Sequence, residues 1–264
     1  LIATHAEELI KGVEAENIIS VSEGKPKRIS ATPEIITALS DVTNEEMTRL
    51  QESPFILYVE GEDDERILRS WANALGKDQA LNKFYFKTMG GGSKKEMQES
   101  ADRHFDGLKH LFPQVKRMIV FDYDTDSSFH PPKNNPVIFE WRRKNIENYL
   151  LVSNAWERAL KKAFGDDGSQ GNLFMNKATS LIKDFFVQER LTLLKGQSWR
   201  DVNAEVFKIV DGKKLLFENE NSLFQKLFKG AFSIPLIMTR KTIADNMLKE
   251  EIHKEVVDFF ENVE

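Results

Sequence analysis

The sequence contains no cysteine among its 264 residues. Disulfides, zinc–thiolate sites and thiol nucleophiles are therefore excluded, and the absence is compatible with the reducing cytoplasm in which we expect the protein to act. No apolar run approaches the length of a membrane span, and the first residues lack the features of a signal peptide, so we expect no membrane partner. The net charge of −5 gives no overall electrostatic reason for binding nucleic acid.

Two apolar segments of the chain end in carboxylates. Residues 55–64 read FILYVEGEDD and residues 118–126 read MIVFDYDTD. In the second segment Asp122 and Asp124 are two residues apart, so they share one face of an extended chain. Carboxylates that are packed together repel one another unless cations neutralise them, and hard divalent cations prefer oxygen ligands. The pattern predicts a Mg²⁺ or Mn²⁺ site at the carboxyl edge of a parallel sheet.

Strand-like and helical patterns alternate through the middle of the chain. This order predicts an α/β fold with a parallel sheet flanked by helices. The predicted strands cover 55–59, 84–89, 118–121 and 137–141, and a hairpin over 17–30, with its turn at 24–26, precedes them. Residues 165–264 carry mainly helical spacing, with predicted helices over 172–194, 199–210, 222–228 and 240–260. We therefore predict three regions, 1–50, 51–164 and 165–264.

A glutamate after the first strand and a DxD after a later one, here Glu60 and Asp122–Asp124, resemble the Toprim domain. That domain is shared by topoisomerases, bacterial primases and OLD-family nucleases. The segment 141–151, WRRKNIENYLL, is similar to the Arg…Ile-Glu-Asn-Tyr-Leu segment of OLD-family nucleases. The resemblance implies a Toprim-like Rossmannoid core over 51–164 that binds two Mg²⁺ or Mn²⁺ ions. The ligands that it implies are Glu60, Asp64, Asp122, Asp124 and Glu147.

The residues by themselves leave alternatives open for these acids. Glu147 also suits the first turn of an ordinary helix that begins at Asn145, because acids are favourable there. Asp63 adjoins Asp64 and is an alternative ligand, and the role of Asp126 is open.

A further match is the run Gly212–Leu216, GKKLL, which is similar to a Gly-Lys-x-Leu-Leu of OLD-family proteins. The resemblance maps the family's lysine onto Lys213, which with Glu60 would be catalytic. In that family a lysine near the metals stabilises the pentavalent phosphate, and a cation placed where negative charge develops lowers a barrier. Lys214 is the alternative, and a surface turn before a helix explains the run without any catalysis.

The first ten residues, LIATHAEELI, resemble the final strand and switch histidine of ABC-type ATPases, with His5 as that histidine. The chain has no P-loop spacing. We therefore expect a C-terminal fragment in which residues 1–50 keep the ATPase tail and a connector. ATP would then bind only to the N-terminal ATPase domain of the full-length parent, which would also form the homo-oligomer.

The resemblance implies a nuclease that cleaves DNA phosphodiesters by a two-metal mechanism, with a role in phage defence. Arg142–Lys144, Lys94, Lys95 and Lys213 could track a phosphate backbone or form a solvated patch. The alternatives are an RNA nuclease, a non-catalytic assembly module on an ATPase, a strand-passage or primase enzyme, and a haloacid-dehalogenase-type phosphatase. That last family has Thr or Val where this chain has Asp126.

Overall fold

The structure is a computed structural model that describes residues 14, 17, 19–22, 25–28, 42–123, 129, 135–164, 168–230 and 238–263. It has an α/β fold with a four-stranded parallel sheet flanked by helices, which confirms the predicted fold class. His5, Asp124 and Asp126 lie outside the described residues.

The strands are β1 (Ile19–Ser22), β2 (Lys25–Arg28), β3 (Phe55–Val59), β4 (Tyr85–Thr88), β5 (Lys116–Phe121) and β6 (Ile138–Glu140). The helices are α1 (Asn44–Glu52), α2 (Glu62–Leu75), α3 (Asp78–Asn82), α4 (Lys94–Leu111), α5 (Ser153–Phe164), α6 (Gly168–Gln188), α7 (Glu205–Ile209), α8 (Leu223–Gly230), α9 (Arg240–Asp245) and α10 (Lys254–Val263). Shorter 3₁₀ turns cover Ile146–Leu150 and Lys249–Glu251, and a π-helical turn covers Lys214–Glu218.

The parallel sheet has the strand order β4-β3-β5-β6. Tyr58 of β3 pairs with Lys87 of β4 on one side and with Ile119 of β5 on the other. The chain runs from β3 to β4 and then crosses back past β3 to β5, so the strand order reverses between β3 and β5. Open α/β sheets bind ligands at such a reversal, outside the carboxyl ends of the strands. Glu60 is the residue that directly follows β3.

The chain divides into two compact units that interleave along the sequence. The first comprises residues 1–61, 82–120 and 129–139, and the second comprises residues 62–81, 121–128 and 140–264. The predicted region boundaries at 50 and 164 stay predictions.

In the first unit, a buried glutamate fixes α1 to the sheet. The carboxylate of Glu46 accepts hydrogen bonds from the backbone N–H of Thr43 and from Lys87 Nζ, both at 2.9 Å. His104 Nε2 lies 3.3 Å from the same carboxylate, and His104 Nδ1 is 2.8 Å from the hydroxyl of Tyr58. Burial by itself would raise the pKa of Glu46, but these hydrogen bonds outweigh it and lower the pKa to about 2.

Aromatic rings form the core of the second unit. Tyr149 lies with its ring centroid 6.1 Å from that of Trp71 and 5.1 Å from that of Trp141, and Trp141 also contacts Phe259 at 5.4 Å. Trp71, Trp141 and Trp156 are all buried. The segment 141–151 therefore forms part of the packed core of the second unit.

Local structure differs from the sequence prediction at three places. Lys25 and Pro26 lie in β2 rather than in the hairpin turn, and Pro26 pairs with Val21. The helix predicted over 199–210 forms only at Glu205–Ile209. The helix predicted over 240–260 ends at Asp245, and a separate helix begins at Lys254. Between them, the Asn246 carbonyl accepts a hydrogen bond from Arg158 Nε at 2.8 Å.

Candidate catalytic site

Asp122 joins the DxD segment to the segment 141–151. It directly follows β5, and its Oδ1 accepts a hydrogen bond from the backbone N–H of Ile146 at 2.8 Å. The next residue, Tyr123, donates its backbone N–H to the carbonyl of Arg143 at 3.4 Å. The first acid of the DxD and the Ile-Glu-Asn-Tyr-Leu turn, which the sequence singled out separately, are therefore in direct contact within the second unit.

Glu147 is buried in that turn, and its carboxylate is paired with an arginine. Arg240, the first residue of α9, donates from Nε to Glu147 Oε1 at 2.6 Å. The same guanidinium lies 3.2 Å from Asp63 and 3.1 Å from Glu218. Burial by itself would lower the pKa of Arg240, but the three carboxylates, led by Glu147, raise it above its usual value. One cation thus neutralises acids from three parts of the chain.

Arg240 belongs to this cluster of charges, but it was not singled out from the sequence. It stands in a polar helix start after Thr239, and no motif or periodicity marks it. Its position depends on the packing of α9 against α2, which brings it to Asp63. Such a long-range pairing leaves no local signal in the sequence.

Lys213 lies among the same carboxylates. Its Nζ is 3.7 Å from Glu218 Oε1. Burial by itself would lower the pKa of Lys213, but Glu147, Glu218 and Asp122 raise it, and Arg240 opposes them in part. The ammonium of Lys214 instead lies 3.3 Å from Asp211 Oδ2. The charge of Lys213 is therefore coupled to Glu147 and Asp122, and Lys214 pairs with Asp211.

The loop before Lys213 is hydrogen-bonded to the segment 141–151. Asn148 Nδ2 donates to the carbonyls of Phe207 and Val210, at 2.9 and 2.8 Å, and its Oδ1 accepts from the N–H of Gly212 at 3.0 Å. Asn145 Nδ2 donates to Asp211 Oδ1 at 3.2 Å. Asn145 stands at the start of the turn as predicted, but its side chain makes no capping bond there.

Two other predicted ligands, Glu60 and Asp64, are each described within their own unit. Glu60 is half-buried in the first unit, and Asp64 is half-buried in the first turn of α2 in the second. Asp63, which the sequence left as the alternative to Asp64, is the acid that reaches Arg240. Over the described part of the chain, no three His, Asp or Glu side chains converge as a metal-binding group.

Two residues of the predicted phosphate-binding patch are buried, which is a correction to that prediction. Arg143 donates to the carbonyls of Asn148 and Val202, at 2.9 and 3.0 Å, and its guanidinium lies 4.6 Å from the ring centroid of Tyr149. Lys94 is also buried. A cation must meet solvent to track a phosphate backbone. Of the six candidates, Arg142, Lys95 and Lys213 are exposed and Lys144 is half-buried.

A cleft of about 490 Å³ borders Arg240 in the second unit. Its lining combines three cations, one carboxylate, two aromatic rings and two further side chains: Arg66, Arg240, Lys241, Asp63, Phe217, Phe224, Met238 and Thr239. The excess of cations contrasts with the net negative charge of the chain. Anionic ligands with an apolar part suit such a lining.

Among the helices that the structure describes, none has the length and apolar character needed to cross a membrane. No protein-family model, curated protein or solved structure matches this chain.

Proposed function

We propose that this chain is the catalytic region of an OLD-type nuclease that hydrolyses DNA phosphodiester bonds with Mg²⁺ or Mn²⁺. The observation that carries the proposal is the cluster of Asp122, Glu147 and Lys213 in the second unit. Each belongs to a different motif of the resemblance, and they interact through a hydrogen bond at Ile146 and through the electrostatic coupling of Lys213 to both acids. We would not expect a lysine at an arbitrary surface position to be electrostatically coupled to two such acids.

Two residues of the cluster, Asp122 and Glu147, carry carboxylate oxygens, although no three acids converge as a metal-binding group in the described part of the chain. Carboxylate oxygens are the ligands that Mg²⁺ and Mn²⁺ prefer. The buried carboxylate of Glu147 is already neutralised by the guanidinium of Arg240, so this position stabilises positive charge. The proposal assigns the ions to Asp64, Asp122 and Glu147 of the second unit, whereas Glu60 and Asp124 stay ligands that only the resemblance implies. Such ions, when bound, supply a nucleophilic hydroxide at neutral pH and offset charge on the phosphate.

The chain's own contribution to the reaction would be electrostatic. The ammonium of Lys213 would neutralise the negative charge that develops on the phosphate oxygens as the bond to the leaving oxygen breaks. Because Lys213 is half-exposed beside the acids, it can meet a substrate that enters from solvent. In the parent protein, an ABC-type ATPase domain would control access of DNA to this site, in the cytoplasm.

A cleavage assay tests the proposal. Supercoiled plasmid is incubated with the chain in Mg²⁺, Mn²⁺, Ca²⁺ or EDTA, without ATP. We expect nicking or linearisation with Mg²⁺ or Mn²⁺, loss of cleavage in EDTA and in Asp122→Asn, and normal cleavage by the control Asp184→Asn, which changes an exposed acid of α6. Cleavage that persists in EDTA, or an active Asp122→Asn variant, would overturn the proposal. The same assay with an RNA substrate tests the alternative that the chain is an RNA nuclease.

A second candidate is a non-catalytic assembly module on an ATPase partner. The pairing of Glu147 with Arg240 favours it, because an internal cation already occupies the acid that the resemblance assigns to a metal. In that case the chain binds no divalent cation at this cluster and cuts no substrate. Isothermal titration with Mn²⁺, run beside the plasmid assay, distinguishes the two candidates.

A further inference from the structure

The side chain of Asn148 is fully buried, and all of its described hydrogen bonds go to the segment 207–212, which runs from α7 into the loop before Lys213. Nδ2 donates to the carbonyls of Phe207 and Val210, and Oδ1 accepts from the N–H of Gly212. A primary amide carries both donors and an acceptor, whereas a carboxylate only accepts. Asn148 therefore binds the loop that leads to Lys213 at three points, and an aspartate could not replace it.

Gly212 fits against the turn only because it has no side chain. A Cβ at this position would lie 2.6 Å from Asn148 Oδ1, 2.8 Å from Asn148 N and 3.0 Å from the carbonyl carbon of Glu147. Two of these contacts are to backbone, which cannot move aside as a flexible side-chain end can. The peptide between Glu147 and Asn148 thus meets the residue directly before Lys213, and glycine permits that approach.

The backbone around Lys213 is held on its other side as well. Asp211 Oδ1 accepts from the N–H of Lys214 at 3.0 Å and from Asn145 Nδ2 at 3.2 Å. A π-helical turn then begins at Lys214, and such turns are frequent at functional sites. The side chain of Lys213 is half-exposed and long, so its own contacts fix it weakly. The direction in which it leaves the backbone is set by the fixed loop.

We infer that Asn148 and Gly212 are positioning residues that hold the ammonium of Lys213 at the carboxylate cluster. The inference rests on the proposed function for its catalytic consequence. Neither residue has a part of its own in the reaction, so both act through Lys213. A misplacement of about 1 Å in a catalytic group can cost on the order of 100-fold in rate.

The test compares Gly212→Ala with Gly91→Ala. A Cβ at Gly91 meets nothing within 4 Å, so it is a matched glycine-to-alanine control. We expect Gly212→Ala to slow single-turnover cleavage by roughly 10- to 100-fold, with DNA affinity and Mn²⁺ affinity unchanged. In a Lys213→Ala background the same change should slow cleavage no further. Additive losses in the double variant would overturn the inference, because they would mean that Gly212 acts independently of Lys213.

A second readout does not need catalysis. Lys213 is labelled with an amine-reactive reagent and quantified by peptide mass spectrometry, with the exposed Lys254 as internal reference. We expect Gly212→Ala to change the labelling rate of Lys213 several-fold and to leave Lys254 unchanged. Unchanged labelling of Lys213 overturns the inference whether or not the protein cleaves DNA. Altered labelling in a protein that never cleaves overturns only the proposed function.

Asn148→Ser is measured in parallel, because it removes the two donated bonds without adding volume. It should shift Lys213 labelling in the same way as Gly212→Ala. A folded Asn148→Ser variant with wild-type labelling and wild-type cleavage overturns the inference even where Gly212→Ala fails to fold.

Discussion

Replacing Arg240 by methionine removes the cation that neutralises Glu147. The side chain of Arg240 is 16% exposed and that of Glu147 is 5% exposed, so the pair is buried. Removal of one partner from a buried ion pair costs about 3–5 kcal/mol, because the other charge stays buried without compensation. Because Arg240 is still partly exposed, we expect a loss in the free energy of unfolding at the lower end of this range, about 3 kcal/mol. Asp63 and Glu218 are more exposed, so their lost contacts add less than about 1 kcal/mol each.

Urea unfolding in EDTA near neutral pH measures this loss. Lys241→Met is the matched control, because Lys241 is the next residue and pairs with the exposed Asp245. The control should change the free energy of unfolding by no more than about 0.5 kcal/mol. Mg²⁺ should then stabilise Arg240→Met more than the wild type, because Arg240 no longer competes for Glu147. A ligand at about 100 times its dissociation constant adds about 2.7 kcal/mol.

Two results would refute the reasoning at different points. If Arg240→Met and Lys241→Met are equally stable in EDTA, the buried pair does not carry the stability that the structure assigns to it. If Mg²⁺ stabilises Arg240→Met no more than the wild type, then Glu147 does not bind a metal. Adding Glu147→Gln to Arg240→Met should restore stability in EDTA and abolish the Mg²⁺ effect.

The remaining predictions concern catalysis, DNA binding and pH. Lys213→Ala should slow single-turnover cleavage by about 100- to 1,000-fold with little change in DNA affinity, whereas Lys214→Ala should cut normally; the reverse outcome would assign the role to Lys214. Arg66→Ala, in the cleft, should weaken DNA binding and lower the salt slope of the affinity by about one, and an unchanged slope would exclude a phosphate contact there. The pKa of Glu46 falls from 4.5 to about 2 on folding, so its stabilisation is complete above about pH 4.5 and is lost as the pH falls towards 2. In urea unfolding across that window, the free energy of unfolding of the wild type should fall by about 3 kcal/mol relative to that of Glu46→Gln. The control Glu45→Gln should follow the wild type. If the stability of Glu46→Gln and of the wild type depends on pH in the same way, the lowered pKa of Glu46 is contradicted.

The strands of the sheet could be predicted because buried parallel strands need continuous apolar residues. Phe55–Val59 is an unbroken apolar run, and β3 has those bounds. β5 extends two residues before its predicted start, into Lys116 and Arg117, because pairing with β3 continues where the apolar pattern has ended. Pairing between strands, rather than composition, sets where a strand begins.

The tertiary contacts of the segment 141–151 could not be predicted from the sequence. Its match to a family motif singled out Glu147, but neither the motif nor the periodicity shows that Arg143 is buried on Tyr149 or that Asn148 binds a loop about 60 residues away. Arg143 looked like a solvent-facing cation because charged residues usually are. Two backbone carbonyls and two aromatic rings make its burial possible.

The sequence by itself determined the α/β class, the parallel strands and the acids that follow them, because strand composition and turn residues act over a few neighbouring positions. Tertiary structure alone decided that Arg240 meets Glu147, that Lys213 lies beside Glu218 whereas Lys214 lies beside Asp211, and that Gly212 packs against the peptide between Glu147 and Asn148. These pairings join residues that are far apart in the chain. Their energies depend on burial and on hydrogen-bond geometry, which exist only once the helices and loops have packed.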